Sequence, residues 1–265
     1  MKPLVSIIVN CRNGAKYLDK CLKSIKEQEF KNWELIFFNN QSTDNSKDIF
    51  ENNICGQFNY FQSDRHLSLY EARNAACKYA QGRYLAFLDT DDVWYKNYLS
   101  SRVDFFDDEN KKFSYCNCHH FYEKSNKKEI FTKTKLKSGF VFDFLANNYL
   151  VKISCLIIEK NALKNVGYFN PNYNIIGDYD VVMKLAQFYE AHAVQEPLVE
   201  MRFHNKNFLD LNRSMFFKEY KNWYYSQNFE SKILKNHKNK FLRYLIYLFL
   251  ISIVPSIIKD FFKKK

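Results

Sequence analysis

Tyr84-Leu85-Ala86-Phe87-Leu88-Asp89-Thr90-Asp91-Asp92 is a run of five largely apolar residues that ends in three carboxylates. The apolar half reads as a strand covered on both faces. The acidic half is costly wherever it sits, because like charges a few ångströms apart repel and raise one another's pKa. A hard divalent cation held through oxygen ligands relieves that repulsion. Crevices at the carboxyl ends of strands are also where open α/β sheets take their ligands. The plainer alternative is a polar turn, since Asp is common in turns. The rest of the chain has to decide between them.

Upstream the strand pattern recurs, with helices in between. Leu4 to Val9 is a short uncharged β-rich run, and after the loop at Asn13-Gly14 the residues Tyr17, Leu18, Cys21, Leu22 and Ile25 fall at helical spacing. Trp33 to Phe38 predicts a second buried strand. Ser42-Thr43-Asp44 predicts a cap for a helix carrying Ile49 and Phe50. Phe58 to Phe61 predicts a third strand, Leu69 to Ala80 a third helix ended by Gly82, and Tyr84 to Leu88 the fourth strand. Strands alternating with helices predict an α/β fold with a parallel, doubly wound sheet.

Downstream the rhythm loosens. Asn97 to Asp108 predicts a helix, Phe113 to Cys118 a strand, and the lysine-rich stretch Glu123 to Lys137 an exposed loop or ribbon. Ile153 to Ile158 predicts a strand, Asn161 to Val166 and Asp178 to Phe188 predict helices, and Ala193 to His204 a strand interrupted at Pro197. Cys116-Asn117-Cys118-His119-His120 invites a zinc reading. Zinc sites use cysteine pairs with wider spacing and a second pair elsewhere, so packing of both thiols as small hydrophobes on one face of a strand is preferred.

With 265 residues, 46% hydrophobic content and only six Gly and four Pro, the chain can bury a substantial core and is not a disordered polymer. Seven scattered cysteines and a Met1 that leads directly into a strand predict free thiols, a reducing cytoplasm and no secretory signal. The net charge is +11, but Lys218 to Lys265 holds eleven basic residues against three acids, or +8, which leaves +3 for residues 1–217. A basic stripe over the folded surface would suggest nucleic acid; charge gathered in a tail does not. In that tail, aromatic residues from Phe216 to Phe229 are followed by Lys232, Lys235, Lys238, Lys240 and Arg243, and then by Tyr244 to Ile258, 15 residues without a charge. A spanning helix needs ~20 apolar residues. The expectation is an interfacial anchor on anionic lipid; the alternative is a helix packed on the domain.

The ordered set of motifs resembles the family 2 glycosyltransferases, inverting nucleotide-sugar enzymes with the GT-A fold. Val5-Ser6-Ile7-Ile8-Val9-Asn10 and Tyr17 to Ile25 match the family's first strand and helix; Trp33 to Ile36 and Gln41 to Ser46 match its second strand and nucleotide loop. Glu71-Ala72-Arg73-Asn74, Gly82-Arg83-Tyr84 and Asp89-Thr90-Asp91-Asp92 complete the nucleotide half, while Val166 to Phe169 and Gly177 to Asp180 resemble the acceptor half. The resemblance implies a mostly parallel, Rossmann-like sheet flanked by helices. It places the nucleotide half at about 1–118 and the acceptor half at about 119–212, with a helical extension over 213–265.

The same resemblance assigns roles. The Asp-X-Asp element would hold Mg2+ or Mn2+ on the donor diphosphate, with Asp91 the direct ligand and Asp89 shared between metal and ribose. Asp178 would be the base, with Asp180 a less suitable neighbour on another helix face. His204 would sit near the metal or diphosphate, and Asn13, Asn40 and Arg73 at the nucleotide. Asp92 reads as a helix cap. The chain departs from the family at Asn39-Asn40, where acids are usual and one reads uracil, at Cys11-Arg12-Asn13, and at Gly177, where Glu is usual. The implied activity is metal-dependent transfer from a nucleoside-diphosphate sugar, UDP-sugar favoured, to a glycan or polyprenyl-linked acceptor in surface polysaccharide synthesis. The implied location is cytoplasmic, peripheral on the inner face of the cell membrane, with no nucleic-acid partner. The competing expectations are an inactive GT-A-fold scaffold or nucleotide-binding protein and a nucleotidyltransferase. The last usually carries a glycine-rich loop near the first strand, where only Gly14 is available.

Overall fold

Largely apolar runs rich in β-branched and aromatic residues become the centre of a sheet. In the computed structural model, which describes residues 2–204 and 212–253, β1 (Val5–Cys11) and β2 (Trp33–Asn39) pair in parallel from Val5↔Trp33 to Cys11↔Asn39. β3 (Phe58–Gln62) adds to β2 and β4 (Tyr84–Phe87) to β1, both in parallel. The crossovers are α1 (Ala15–Lys26), α2 (Ser46–Glu51) and α3 (Leu69–Tyr79). Leu18, Cys21, Leu22 and Ile25 of α1 are buried, as their spacing predicts. Tyr17 is the exception, and its ring serves the site described below.

Beyond β4 the sheet is mixed. β8 (Leu156–Glu159) lies antiparallel between β4 and β6 (Lys111–Tyr122), and β6 pairs in parallel with β9 (Glu190–Phe203). β5 (Val93–Trp94) closes the order β3-β2-β1-β4-β8-β6-β9-β5, and β7 (Lys127–Ile130) forms a hairpin on β6. Two successive antiparallel steps restore the direction of β4 in β6 and β9. The carboxyl ends of β1, β2, β4 and β9 therefore share one edge of the sheet, and His204 arrives beside the acidic loop.

Several sequence expectations change in detail. Asn97 to Asp108 is not one helix: a 3₁₀ turn at Ser100–Arg102 precedes the short α4 (Val103–Asp107). The reason is Arg102, wholly buried, whose guanidinium donates to Ser114 Oγ (3.2 Å) and the carbonyls of Tyr98 (2.5 Å) and Cys155 (3.2 Å). The lysine-rich stretch, by contrast, holds an exposed ribbon as expected, with β7 paired antiparallel to β6. Pro197 does not break β9; the ladder shifts register around Asn117↔Pro197, where a residue without an N–H is tolerated. The strand expected from Ile153 starts later, after a 3₁₀ turn at Ile153–Cys155. Cys116 and Cys118 belong to the hydrophobic core and adjoin Cys155. Residues 119–204 add α5 (Phe142–Asn147), α6 (Lys160–Asn165) and α7 (Gly177–Phe188).

Gly82 has a different reason from helix termination, since α3 already ends at Tyr79. A Cβ on Gly82 would lie 2.6 Å from the Ser6 backbone nitrogen. That close approach lets Gly82 N donate to Ser6 Oγ (2.8 Å), while Ser6 Oγ and Gln81 N both donate to Glu34 Oε1 (2.6 Å each). One buried carboxylate thereby ties the starts of β2, β1 and β4 together.

The chain divides into two compact units after His204. The second holds helices at Arg213–Ser226, Lys232–Lys235 and Lys238–Ile253. Trp223 meets Phe241 edge-on with centroids 5.2 Å apart, and Tyr220 meets Tyr244 at 5.0 Å. Phe241, Leu245 and Leu248 are buried, whereas Leu242, Ile246, Tyr247, Phe249 and Leu250 are exposed. No helix among the described residues is long and apolar enough to cross a membrane. Pro255, Lys259 and Lys263 to Lys265, part of the expected anchor, lie outside the described residues.

Candidate active site

The three carboxylates after β4 are held in three different ways. Asp92 is buried and accepts from Ser154 Oγ (2.6 Å) and from the Arg202 backbone N–H (3.0 Å). It caps no helix, because β5 rather than a helix follows it. Asp92 is instead the peg that joins the acidic loop to β9 and to the turn before β8. The Asp89 N–H donates to the same Ser154 hydroxyl (3.2 Å). Burial, followed by the charges of Asp91 and Asp89, pushes the Asp92 carboxyl well up.

Asp91 and Asp89 keep side-chain surface, 29% and 40% exposed respectively. Asp91 Oδ2 lies 3.1 Å from His204 Nε2. Burial and then the charge of Asp89 push the Asp91 carboxyl up, with His204 opposing. Asp89 Oδ1 accepts from Arg73 Nη2 at 2.5 Å. Arg73 is itself buried, so in this structure it reaches the acidic loop. His204 is oriented by stacking on Tyr17, centroids 5.3 Å apart, and the Tyr17 hydroxyl donates to Glu123 Oε2 at 2.9 Å. The Arg202 guanidinium lies over the same Tyr17 ring at 5.1 Å and donates from Nε to the Asp91 carbonyl at 3.3 Å.

Among the described residues no three metal-ligating side chains form a cage by themselves. The donor set still fits Mg2+ or Mn2+. Magnesium is usually held by one or two carboxylates plus substrate phosphates, and Asp91 and Asp89 are two partly exposed carboxylates on one loop. An imidazole at His204 is tolerated by manganese and sits beside Asp91.

The loops after β1 and β2 are stitched together by side chains. Asn13, at φ 55°, accepts at Oδ1 from Thr43 N (2.8 Å), and Ser42 Oγ accepts from Asn13 N (3.0 Å). Asn is among the residues that tolerate this left-handed backbone. Asp44 Oδ2 and Ser46 Oγ accept from Ala15 N and Gly14 N, each at 3.0 Å, and so cap α1 from across the crevice. Asn40 is buried. Its amide oxygen accepts from Leu67 N (2.9 Å) and Ser63 Oγ (3.3 Å), and its amide nitrogen donates to the Leu67 carbonyl (2.9 Å). That amide clamps the loop before α3. An orphan lies nearby in β1, where Asn10 Nδ2 is buried without a partner.

Asp178 is the second residue of α7, and its Oδ1 accepts from Tyr179 N (2.8 Å) and from Tyr70 Oη (3.2 Å). Loss of water on burial pushes its carboxyl up, against the nearby positive charge of Arg73. Asp180 is buried on another side of the helix and pairs with Lys184 at 2.7 Å. Tyr70 and Arg73, one helical turn apart on α3, thus link Asp178 to Asp89. Sequence reasoning missed Tyr70, Ser154, Tyr17 and Glu123. Each acts through an atom that periodicity does not report.

The sequence profile of Glycosyl transferase family 2 matches residues 6–167, more than half of the chain, and the chain belongs to that family. It is 34% identical over 116 residues to TuaG of Bacillus subtilis, a glycosyltransferase named for teichuronic acid biosynthesis, covering 43% of this chain and 46% of TuaG. It is 28% identical over 160 residues to WfgD of Escherichia coli, a UDP-Glc:alpha-D-GlcNAc-diphosphoundecaprenol beta-1,3-glucosyltransferase, covering 60% of this chain and 62% of WfgD. The chain therefore spans about half to two thirds of these relatives. Among solved structures, Staphylococcus aureus TarS residues 1–349 with UDP-GlcNAc superposes with a TM-score of 0.74 at 18% identity, covering 94% of this chain and 72% of that one. That likeness carries the GT-A fold.

Proposed function

We propose that this protein transfers one sugar, with inversion, from a nucleoside-diphosphate donor to a hydroxyl of a lipid-linked glycan in the synthesis of a surface polymer. The observation that carries the reading is that Tyr70 and Arg73, one turn apart on α3, reach Asp178 and Asp89 respectively and so link the candidate base to the acidic loop. Uridine diphosphate is the favoured donor nucleotide, and the similarity to WfgD supports both a UDP-sugar and a polyprenyl-diphosphate acceptor.

In the reading we favour, Asp91, assisted by Asp89 and His204, holds Mg2+ or Mn2+. The ion when bound neutralises charge on the departing diphosphate. Arg73 fixes Asp89, and Asn13 and Asn40 shape the nucleotide crevice through the loops they join. Asn10 offers a buried amide donor to the base. Asp178 accepts the proton of the acceptor hydroxyl, that oxygen bonds to the anomeric carbon, and the carbon–oxygen bond to the diphosphate breaks. Attack opposite the leaving group inverts the centre, as in other inverting carboxylate chemistry. Residues 1–212 carry the catalysis, and 213–265 dock on an anionic membrane from the cytoplasmic side.

Calorimetric titration of UDP, GDP, CDP and dTDP, with Mn2+ and with EDTA, tests the donor half. Metal-dependent binding of one nucleotide, lost in Asp91→Ala, is expected. No binding of any nucleotide by folded protein would leave an inactive scaffold as the better description.

A further inference from the structure

Position 177 has no room for a side chain. A Cβ built on Gly177 would come 2.5 Å from Cδ2 and Cε2 of Tyr70. The ring cannot easily give way, because Tyr70 is 1% exposed and stacks on Phe169 with centroids 5.5 Å apart. The ring that fills this space also reaches Asp178. Its hydroxyl oxygen is 3.2 Å from Asp178 Oδ1 and 3.1 Å from the Ile175 carbonyl oxygen. A phenol has one proton to give, and an ionised carboxylate is the stronger acceptor.

Asp178 Oδ1 thus has two donors, Tyr70 Oη and, at 2.8 Å, the Tyr179 backbone N–H. Oδ2 takes neither. The two carboxylate oxygens are therefore inequivalent, and the one left over is the better placed to take a proton.

We propose that Tyr70 is a positioning residue for the base: it pins Asp178 Oδ1, leaves Oδ2 to receive the acceptor proton, and occupies the space that any side chain at 177 would need. The proposal rests on Asp178 being the base. In the step itself the acceptor O–H bond breaks and its proton goes to Oδ2. Oδ1 becomes the carbonyl oxygen of the acid and keeps both of its donors, so no proton leaves Tyr70. The Tyr70 phenol stays neutral, since burial and the nearby Asp178 push its pKa well up.

Besides Tyr70, the titratable groups that act on Asp178 include Arg73, Lys152 and Tyr149. The Tyr149 hydroxyl is buried without a partner, and all three are retained in Tyr70→Phe. Phenylalanine keeps the ring and removes only the hydroxyl. The experiment is a carbon-13 titration of aspartate carboxyls in the full chain, with the Asp178 resonance identified by its loss in Asp178→Asn. Tyr70→Phe is expected to raise that midpoint by about one pH unit, the size expected for a lost hydrogen bond to a charged group. An unchanged or lowered midpoint overturns the proposal. Turnover of UDP-glucose on GlcNAc-diphosphoundecaprenol that survives in Asp178→Asn overturns the base assignment instead, and leaves the titration standing.

The shared space is tested separately by thermal unfolding. Gly177→Ala is expected to lower the melting temperature in the wild-type chain and to have little effect when made on Tyr70→Ala. An equal loss in both backgrounds overturns that half of the proposal.

Discussion

Asp91 and Asp92 are adjacent, and their substitutions are expected to separate function from folding. Asp92→Ala leaves the Arg202 N–H and the Ser154 hydroxyl without their acceptor inside the protein. It should cost about 1–3 kcal/mol, read as a lower melting temperature. Asp91→Asn should melt no lower than the parent while losing metal-dependent nucleotide binding in calorimetry. Asp178 gives a pH-dependent prediction. Its folded pKa is raised by burial, so between the ordinary carboxyl value and the raised one the folded state holds a proton that the unfolded state has lost. Stability from this group is present at low pH and falls as pH rises through that window. Asp178→Asn should therefore melt higher than the parent at pH 7, and the difference should close on acidification towards pH 4, measured by scanning calorimetry in matched buffers. The site's residue types were legible from the order of motifs. Their partners were not, because Ser154 is 62 positions from Asp92 and Glu123 is 106 from Tyr17.

At the scale of elements, the strand–helix alternation up to Leu88 was readable because β1, β2 and β4 are buried on both faces and α1 shows one apolar stripe. The region after Leu88 was harder. Its strands pair across long sequence gaps, and its turns are decided by single buried groups such as Arg102. Gly82 shows the difference in one residue: the sequence offered helix termination, whereas packing against Ser6 sets the requirement. Gly82→Ala places a methyl 2.6 Å from the Ser6 nitrogen and should destabilise by about 1–3 kcal/mol, as overpacking does. Denaturant unfolding checks this, and a midpoint equal to the parent's would show that β4 moves freely against β1.

For the whole molecule, the tail helix packs within its own unit and leaves a second apolar face open, the face an interfacial anchor would use. Helix Lys238–Ile253 is apolar on two sides: Phe241, Leu245 and Leu248 pack inward, while Ile246, Phe249 and Leu250 face out beside a chain rich in lysine. Basic residues near an anionic surface contribute about 1 kcal/mol each. Ile246→Asp with Phe249→Asp should abolish co-sedimentation with phosphatidylglycerol vesicles and leave the helical circular dichroism unchanged. Equal sedimentation of parent and variant would remove the anchor. The sequence by itself determined the α/β class, the acidic loop at a strand end, the order of the family motifs and the concentration of charge in the tail, because each of these is a local pattern. Tertiary structure alone decided that Asp92 is a peg rather than a cap, that Asn40 clamps a loop, and that Tyr70 stands between Gly177 and Asp178. Those outcomes depend on which distant atoms meet in the folded chain, and neither periodicity nor spacing encodes such meetings.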